Sequence, residues 1–179
     1  CLETVPGIEI YAKREWQQFG GSVKSRPAFG IIRGALASGA WKPGQHLFDA
    51  TSGNTGIAYA DICSRVGSPL KLFLPANATH ERKERLRSLG ADVTLTSPLE
   101  GTDGAQAAAR DWLESHPGEG VYLDQYSNNE NWRAHFDSTG PEILAQTQGR
   151  ITHFLAGLGT TGTFTGVARC LQAWSEREG

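Results

Sequence analysis

The sequence predicts an α/β fold: parallel sheets with flanking helices. Three observations carry this. Apolar runs of about five residues alternate with longer segments of helical pattern, as βαβ units require. Glycine stands at 22 of 179 residues, above the usual ~7%, and gathers in loops between a predicted strand and a predicted helix. No repeat, low-complexity tract or obvious flexible linker interrupts the alternation.

The elements follow in order. Residues 8–13 read as a strand, and residues 26–37 as a helix ending near Gly39. A short apolar strand at 46–50 precedes a helix at 55–66 that Gly67 closes. The strand at 70–74 stops at Pro75. The charged helix 79–89 opens on Thr79, a capping residue followed by a Glu/Arg cluster, and closes at Gly90. A strand at 92–96, a helix at 104–115 and a strand at 121–124 come next. Residues 131–147 are mostly helical, interrupted near Thr139-Gly140-Pro141. A strand at 152–156 and a helix at 162–177 complete the pattern.

Composition narrows the function. With 39% hydrophobic and 20% charged residues, the chain has an ordinary soluble globular balance. No run approaches the ~20 apolar residues of a membrane span. Residues 1–15 lack the basic head and apolar stretch of a signal peptide. Lys+Arg 17 against Asp+Glu 19 leaves a net charge of −2 and no basic field for nucleic acid. Cys1, Cys63 and Cys170 make neither a metal spacing nor an even disulfide set, so a reducing, cytoplasmic setting is expected. Cys63 and Cys170 lie in apolar helical patterns and read as small buried hydrophobes. No metal is expected: the histidines show no ligand spacing, and His80-Glu81 lacks the second histidine of a zinc helix. Residues 81–87 read as a solvated, salt-bridged face, and Trp112, Trp132 and Trp174 as packing.

Ligands of parallel sheets sit at the carboxyl ends of strands, so the chemistry is sought in three loops. Gly157-Leu158-Gly159-Thr160-Thr161-Gly162-Thr163 matches G-x-G-x-x-G between a strand and a helix. The acidic residue of a dinucleotide site does not follow at the end of a next strand, because Glu176 and Glu178 fall within the helix pattern. What remains is an anion cradle: free N–H groups and the helix dipole favour phosphate, and three threonines exceed the needs of a turn. In Ala50-Thr51-Ser52-Gly53-Asn54-Thr55-Gly56, hydroxyls and small residues suit a small carboxylate, with an N-cap and turn glycines as the plainer alternative. Gly20-Gly21-Ser22-Val23-Lys24-Ser25-Arg26 places Lys24 among small residues. Positive charge at the start of a helix is unfavourable and needs another reason. A lysine whose amine is partly neutral suits Schiff-base chemistry.

These loops, in this order, resemble the fold-type II pyridoxal phosphate enzymes, and among them the cysteine synthases (O-acetylserine sulfhydrylases). The matching stretches are residues 13–15, Gly21-Ser22-Val23-Lys24, Thr51-Ser52-Gly53-Asn54-Thr55-Gly56, Leu123-Asp124-Gln125-Tyr126, Ser138-Thr139-Gly140-Pro141-Glu142-Ile143 and Gly159-Thr160-Thr161-Gly162-Thr163. With Arg150-Ile151-Thr152-His153-Phe154 before it, the last is similar to the B-type isozyme. The resemblance implies a transferase of cysteine biosynthesis using pyridoxal 5'-phosphate. Lys24 would hold the cofactor covalently and take the α-proton. Asn54 would meet the ring 3-oxygen, and Gly159, Thr160, Thr161, Gly162 and Thr163 the phosphate. Thr51, Ser52, Gly53, Thr55 and Gln125 would hold the amino-acid carboxylate. Acetate would leave O-acetylserine, or a similar O-activated serine, and sulfide or a small thiol would add. The partners implied are the amino-acid substrate, the sulfur donor and a second copy in a homodimer.

Two departures stand out. Ser25 occupies a position that is usually acidic in the family, and Gln17-Gln18-Phe19 replaces a common Asn-Pro pair. The resemblance divides the chain into 1–34 and 146–179 of a larger lobe around a smaller mobile lobe, 35–145. A chain starting at Cys1 and ending at Gly179 is expected to be cut down. It lacks the later serine or threonine that meets the pyridine nitrogen, and is expected to be inactive by itself. Cystathionine β-synthase and O-phosphoserine sulfhydrylase are alternatives within the family; a nicotinamide-binding oxidoreductase and a non-catalytic remnant are alternatives outside it.

Overall fold

The alternation is realised around one parallel sheet in a computed structural model, which describes residues 6–51 and 53–178. After a 3-10 turn at Glu15–Gln17 come α1 (Ser25–Ala37), β1 (His46–Ala50), α2 (Asn54–Val66), β2 (Leu70–Pro75), α3 (His80–Ser88), β3 (Asp92–Thr96), α4 (Gly101–Ser115) and β4 (Gly120–Tyr122). Then follow α5 (Glu130–Ala134), a π-helical stretch at His135–Thr139, α6 (Gly140–Thr147) and α7 (Gly162–Glu178). The termini obey local chemistry. Thr79 Oγ1 accepts the Arg82 N–H to cap α3, and Gly67, at φ 67, closes α2 in the left-handed conformation.

The strand order is β3-β2-β1-β4, all parallel. The chain moves outward from β1 to β3, then returns to the other side of β1. That reversal opens a crevice at the carboxyl ends of β1 and β4, where such sheets bind ligands. Side chains alternate across the sheet. Leu47, Leu72 and Leu74 pack with Ile31, Tyr59 and Leu86 on one face. Phe48, Ala50 and Phe73 pack against Ala105, Ala109 and Trp112 of α4 on the other. Phe48 lies edge-on to Trp112 at 4.6 Å between centroids, so this tryptophan is packing. Burying one such side chain contributes about 2–3 kcal/mol.

α5, the π-helical stretch and α6 run on without a break. The interruption expected at Thr139-Gly140-Pro141 is a change of winding: Pro141 has no N–H to give the carbonyl four residues back, and wider turns precede it. α7 packs along this unit, and α1 packs on both α2 and α5. Gly166 allows a close approach, since an added Cβ would meet the Trp132 carbonyl oxygen and His135 Cβ.

Two expected strands are corrected. Residues 8–13 and 152–156 form no strand. An apolar run becomes a strand only by joining a ladder, and neither run joins one among the described residues; Leu155 is 92% exposed. α4 begins three residues earlier than expected, at Gly101, and β4 spans Gly120–Tyr122 rather than 121–124. No helix among the described residues is long and apolar enough to cross a membrane.

Candidate active site

The crevice is built from the loops after β1 and β4. Gln125 is buried and held at both ends of its side chain: Nε2 donates to the Ala50 carbonyl at 2.7 Å, and Oε1 accepts the Thr55 hydroxyl at 2.7 Å. Asp124 before it takes φ 44, the left-handed region that non-glycine residues seldom adopt, so the turn presenting Gln125 is strained. Thr51 Oγ1 accepts the N–H groups of Gly53 and Gly56, each at 3.1 Å. It shapes the loop from behind, so that Asn54 and Thr55, in the first turn of α2, face the crevice. Ser52 lies outside the described residues.

Lys24 enters from the start of α1. Ser25, fully buried, accepts the Gly20 N–H at 3.0 Å and so closes the glycine turn before it. This is what a hydroxyl at the usually acidic position does. Burial lowers the Lys24 amine's affinity for its proton below that of an ordinary lysine, and Nζ donates to Thr160 Oγ1 at 3.4 Å. The cation at Arg26 has its reason in two carboxylates: Nε and Nη2 meet Glu15 at 2.8 and 2.9 Å, and Nη1 and Nη2 meet Glu142 at 2.8 Å each. Lys13 adds a further ion pair to Glu142. Arg26, with Lys13, holds Glu142 well below the usual carboxylate range, at about 2. The recognisable residues near 13–15 and 138–143 are thus one ionic clamp that fixes the base of α1.

The glycine-threonine loop closes the site. Gly159 and Thr160 face Lys24, Thr161 is exposed at φ 63, and Gly162 begins α7. Thr163 Oγ1 lies 3.2 Å from His135 Nε2, whose other ring nitrogen, Nδ1, lies 2.9 Å from Thr139 Oγ1. Burial first, and then the charges of Arg26 and Lys24, push the His135 pKa down to about 4, so the ring is neutral at pH 7. Asn131 Nδ2 donates to both Gln125 O, at 2.6 Å, and Thr160 Oγ1, at 2.9 Å.

The result is a cavity of about 470 Å³. One wall is Lys24, Asn54, Thr55, Gln125, Gly159 and Thr160; the other includes Arg82, Asp103 and Tyr126. Six of the expected site residues are therefore brought together. Thr51 and Gly53 stand behind the lining, and Thr161, Gly162 and Thr163 lead into α7. Sequence reasoning missed Asp49, Arg82, Asn131 and His135. Asn131 and His135 are four apart, one turn of a helix, and that spacing just after Gln125 was their available signal. The buried thiols are inert by environment: burial pushes Cys63 up to about 12 and raises Cys170. Among the described residues, no group of three His, Cys, Asp or Glu side chains is placed to hold a metal.

A lysine of lowered proton affinity and a threonine hydroxyl line one cavity, and the loop that carries the threonine leads directly into the first turn of a 17-residue helix. This donor set fits a phosphorylated aldehyde: an amine for the carbonyl and donors for the phosphate. The fold and site define a fold-type II architecture of that kind. Residues 2–178 match the family model for pyridoxal-phosphate dependent enzymes, and the chain belongs to that family. Cysteine synthase from Aquifex aeolicus is 51% identical over 177 residues, covering 98% of this chain and 54% of that protein. Cysteine synthase B from Salmonella typhimurium is 47% identical over 166 residues, covering 93% and 54%. The crystal structure of a hydrogen sulfide-producing enzyme from Fusobacterium nucleatum superposes with a TM-score of 0.86 at 31% identity, covering 90% of this chain and 54% of that one. The chain spans about half the length of the curated relatives it matches.

Proposed function

We propose that the protein replaces the β-substituent of O-acetylserine, or a similar O-activated serine, with sulfide or a small thiol to give cysteine. The observation that carries this is the 3.4 Å contact of Lys24 Nζ with Thr160 Oγ1, in the same cavity as Asn54, Thr55 and Gln125. Pyridoxal phosphate, when bound, supplies a conjugated electron sink that lets a leaving group depart from the β-carbon. Lys24 holds the cofactor and, once freed by the substrate amine, takes the α-proton; burial disfavours its charged form and suits it to both roles. Thr160, Gly162 and Thr163 hold the phosphate with hydroxyls and helix N–H groups, helped by Gly159 and Thr161. Asn54 donates to the ring oxygen. Thr55 and Gln125, on a loop shaped by Thr51, Ser52 and Gly53, bind the carboxylate. Closing this loop excludes water from the reacting carbons.

We propose with it that residues 35–145 are the smaller, mobile lobe between 1–34 and 146–179. The four-stranded sheet with α2, α3 and α4 around it supports this. A cytoplasmic homodimer completes the reading: two buried free thiols suit a reducing compartment, and Phe29 and Leu36 leave apolar surface on α1 for a second copy.

The visible spectrum of the longer native protein tests the reading. A yellow absorbance that requires Lys24 and changes on adding O-acetylserine supports it, as does cysteine formation when sulfide follows. An equally colourless wild type and Lys24→Ala with added pyridoxal phosphate overturns it, and tight NADH binding instead points to an oxidoreductase.

A further inference from the structure

We propose that Asn131 is a positioning residue that couples the two halves of the site, holding the Gln125 backbone and setting the direction in which the Thr160 hydroxyl donates. This rests on the reading above, in which Thr160 serves the cofactor phosphate and Gln125 the substrate carboxylate.

Asn131 is 5% exposed and lies in the first turn of α5, outside all three loops. Its Nδ2 carries two protons, and both are used: one on Gln125 O at 2.6 Å, the other on Thr160 Oγ1 at 2.9 Å. Lys24 Nζ gives Thr160 Oγ1 a second donor at 3.4 Å. A hydroxyl has two lone pairs and one proton. With both lone pairs engaged, the proton of Thr160 has to point away from Asn131 and Lys24. It meets no acceptor among the described residues, and Thr160 lines the cavity. The hydroxyl is thus committed to donate outward, as an anion at the start of α7 requires.

The other end of the amide shows that this orientation is enforced. Asn131 Oδ1 is buried without a hydrogen-bond partner, a state that costs free energy and is rare in folded proteins. Rotating the amide would not relieve it, because Oδ1 would then face the Gln125 carbonyl, acceptor against acceptor. Oδ1 lies instead against Gly162, where a Cβ would collide with it. The first residue of α7 is therefore small enough to admit the Asn131 side chain, and one amide nitrogen ties the β4–α5 loop to the phosphate loop.

The test is a double-mutant cycle on the longer protein, freed of cofactor and titrated with pyridoxal phosphate. Asn131→Ala and Thr160→Val are each expected to weaken binding about tenfold, the scale of one charge-assisted hydrogen bond. The double variant is expected to bind within about twofold of Thr160→Val alone, because Asn131 acts through Thr160. In cofactor-loaded protein, Asn131→Ala also weakens O-acetylserine and Thr160→Val does not. A double variant weakened by the product of the single effects overturns the proposal, as does unchanged cofactor affinity in Asn131→Ala. If Asn131→Ala loses its cooperative melt, Asn131→Ser takes its place in the cycle, since a single hydroxyl donor serves one acceptor but not both. Should wild type itself fail to bind pyridoxal phosphate, the functional reading falls and this proposal with it.

Discussion

The Asp49 carboxyl, with no solvent exposure, accepts the backbone N–H of Gln125 at 3.2 Å while its other oxygen accepts that of Ala50 at 2.7 Å. A residue at the end of β1 thereby fixes the loop after β4. Burial pushes the Asp49 pKa up to about 8, against the pull of the Ala50 and Gln125 N–H groups and the Tyr59 hydroxyl, and the Asp124 charge raises it further. Folding therefore favours the protonated form. The sign follows from linkage: this contribution is full below the unfolded pKa of ~3.9 and is lost as pH rises through about 8. Asp49→Asn is expected to flatten the dependence of urea-melt stability on pH between those values. Its single amide oxygen can accept only one of the Ala50 and Gln125 N–H groups, which loosens the tie between the two loops, so the KM for O-acetylserine is also expected to rise up to about tenfold. An unchanged slope in the variant would remove Asp49 as the cause.

His135 works in a different window and in the opposite direction. Its pKa is depressed to about 4 by burial, with Arg26 and Lys24 adding to the effect. The neutral ring stabilises the fold above the unfolded value of ~6.5, and this is lost as pH falls through about 4. The shift corresponds to about 3 kcal/mol. His135→Gln, which keeps a donor and an acceptor, is expected to be less stable at pH 7 and to show a shallower loss of stability between pH 6.5 and 4. Urea melts at both ends of that range read the difference.

Lower still on the pH scale lies the clamp of Arg26 with Glu142. Glu142, held at about 2 chiefly by Arg26, contributes stability above its unfolded value of ~4.3, lost as pH falls toward about 2. Side-chain exposure is 40% for Glu142 and 10% for Arg26, so solvent screens one partner more than the other. Removing the less exposed partner is expected to cost more: Arg26→Ala leaves Glu15 without its cation and Glu142 with Lys13 alone, whereas Glu142→Gln leaves the Glu15 pair intact. Thermal melts of the two variants should rank in that order, and the reverse order would place the strength of the clamp elsewhere.

The depth to which the sequence could be read follows the range of the interactions. β1, β3, α2 and α3 were legible because their signals are local: an apolar run, an N-cap at Thr79, a left-handed Gly67. Lys24, Asn54, Thr55, Gln125, Gly159 and Thr160 were legible because loop chemistry and family resemblance both mark them. Asp49 and Asn131 were not, since their meaning lies in partners 76 and 29 residues away along the chain. The runs at 8–13 and 152–156 misled for the same reason: an apolar pattern states what a segment can do, and a ladder partner decides whether it does.

Thr51 is the residue whose expected role the geometry sharpens most. As a carboxylate ligand it would affect substrate alone, but its Oγ1 accepts the N–H groups of Gly53 and Gly56, and it is 1% exposed. Thr51→Ala leaves two N–H groups without their acceptor, one of them in the first turn of α2, at a cost of about 1–3 kcal/mol. That turn carries Asn54 and Thr55, so the loss propagates to the position proposed for the substrate carboxylate. Thr51→Ala is expected to raise the KM for O-acetylserine about tenfold or more while changing cofactor affinity about threefold or less. Thr51→Ser restores the acceptor and should restore KM, which a role confined to packing of the methyl group would not allow. Equal loss of substrate and cofactor affinity in Thr51→Ala would mean that the loop after β1 serves the phosphate as much as the carboxylate.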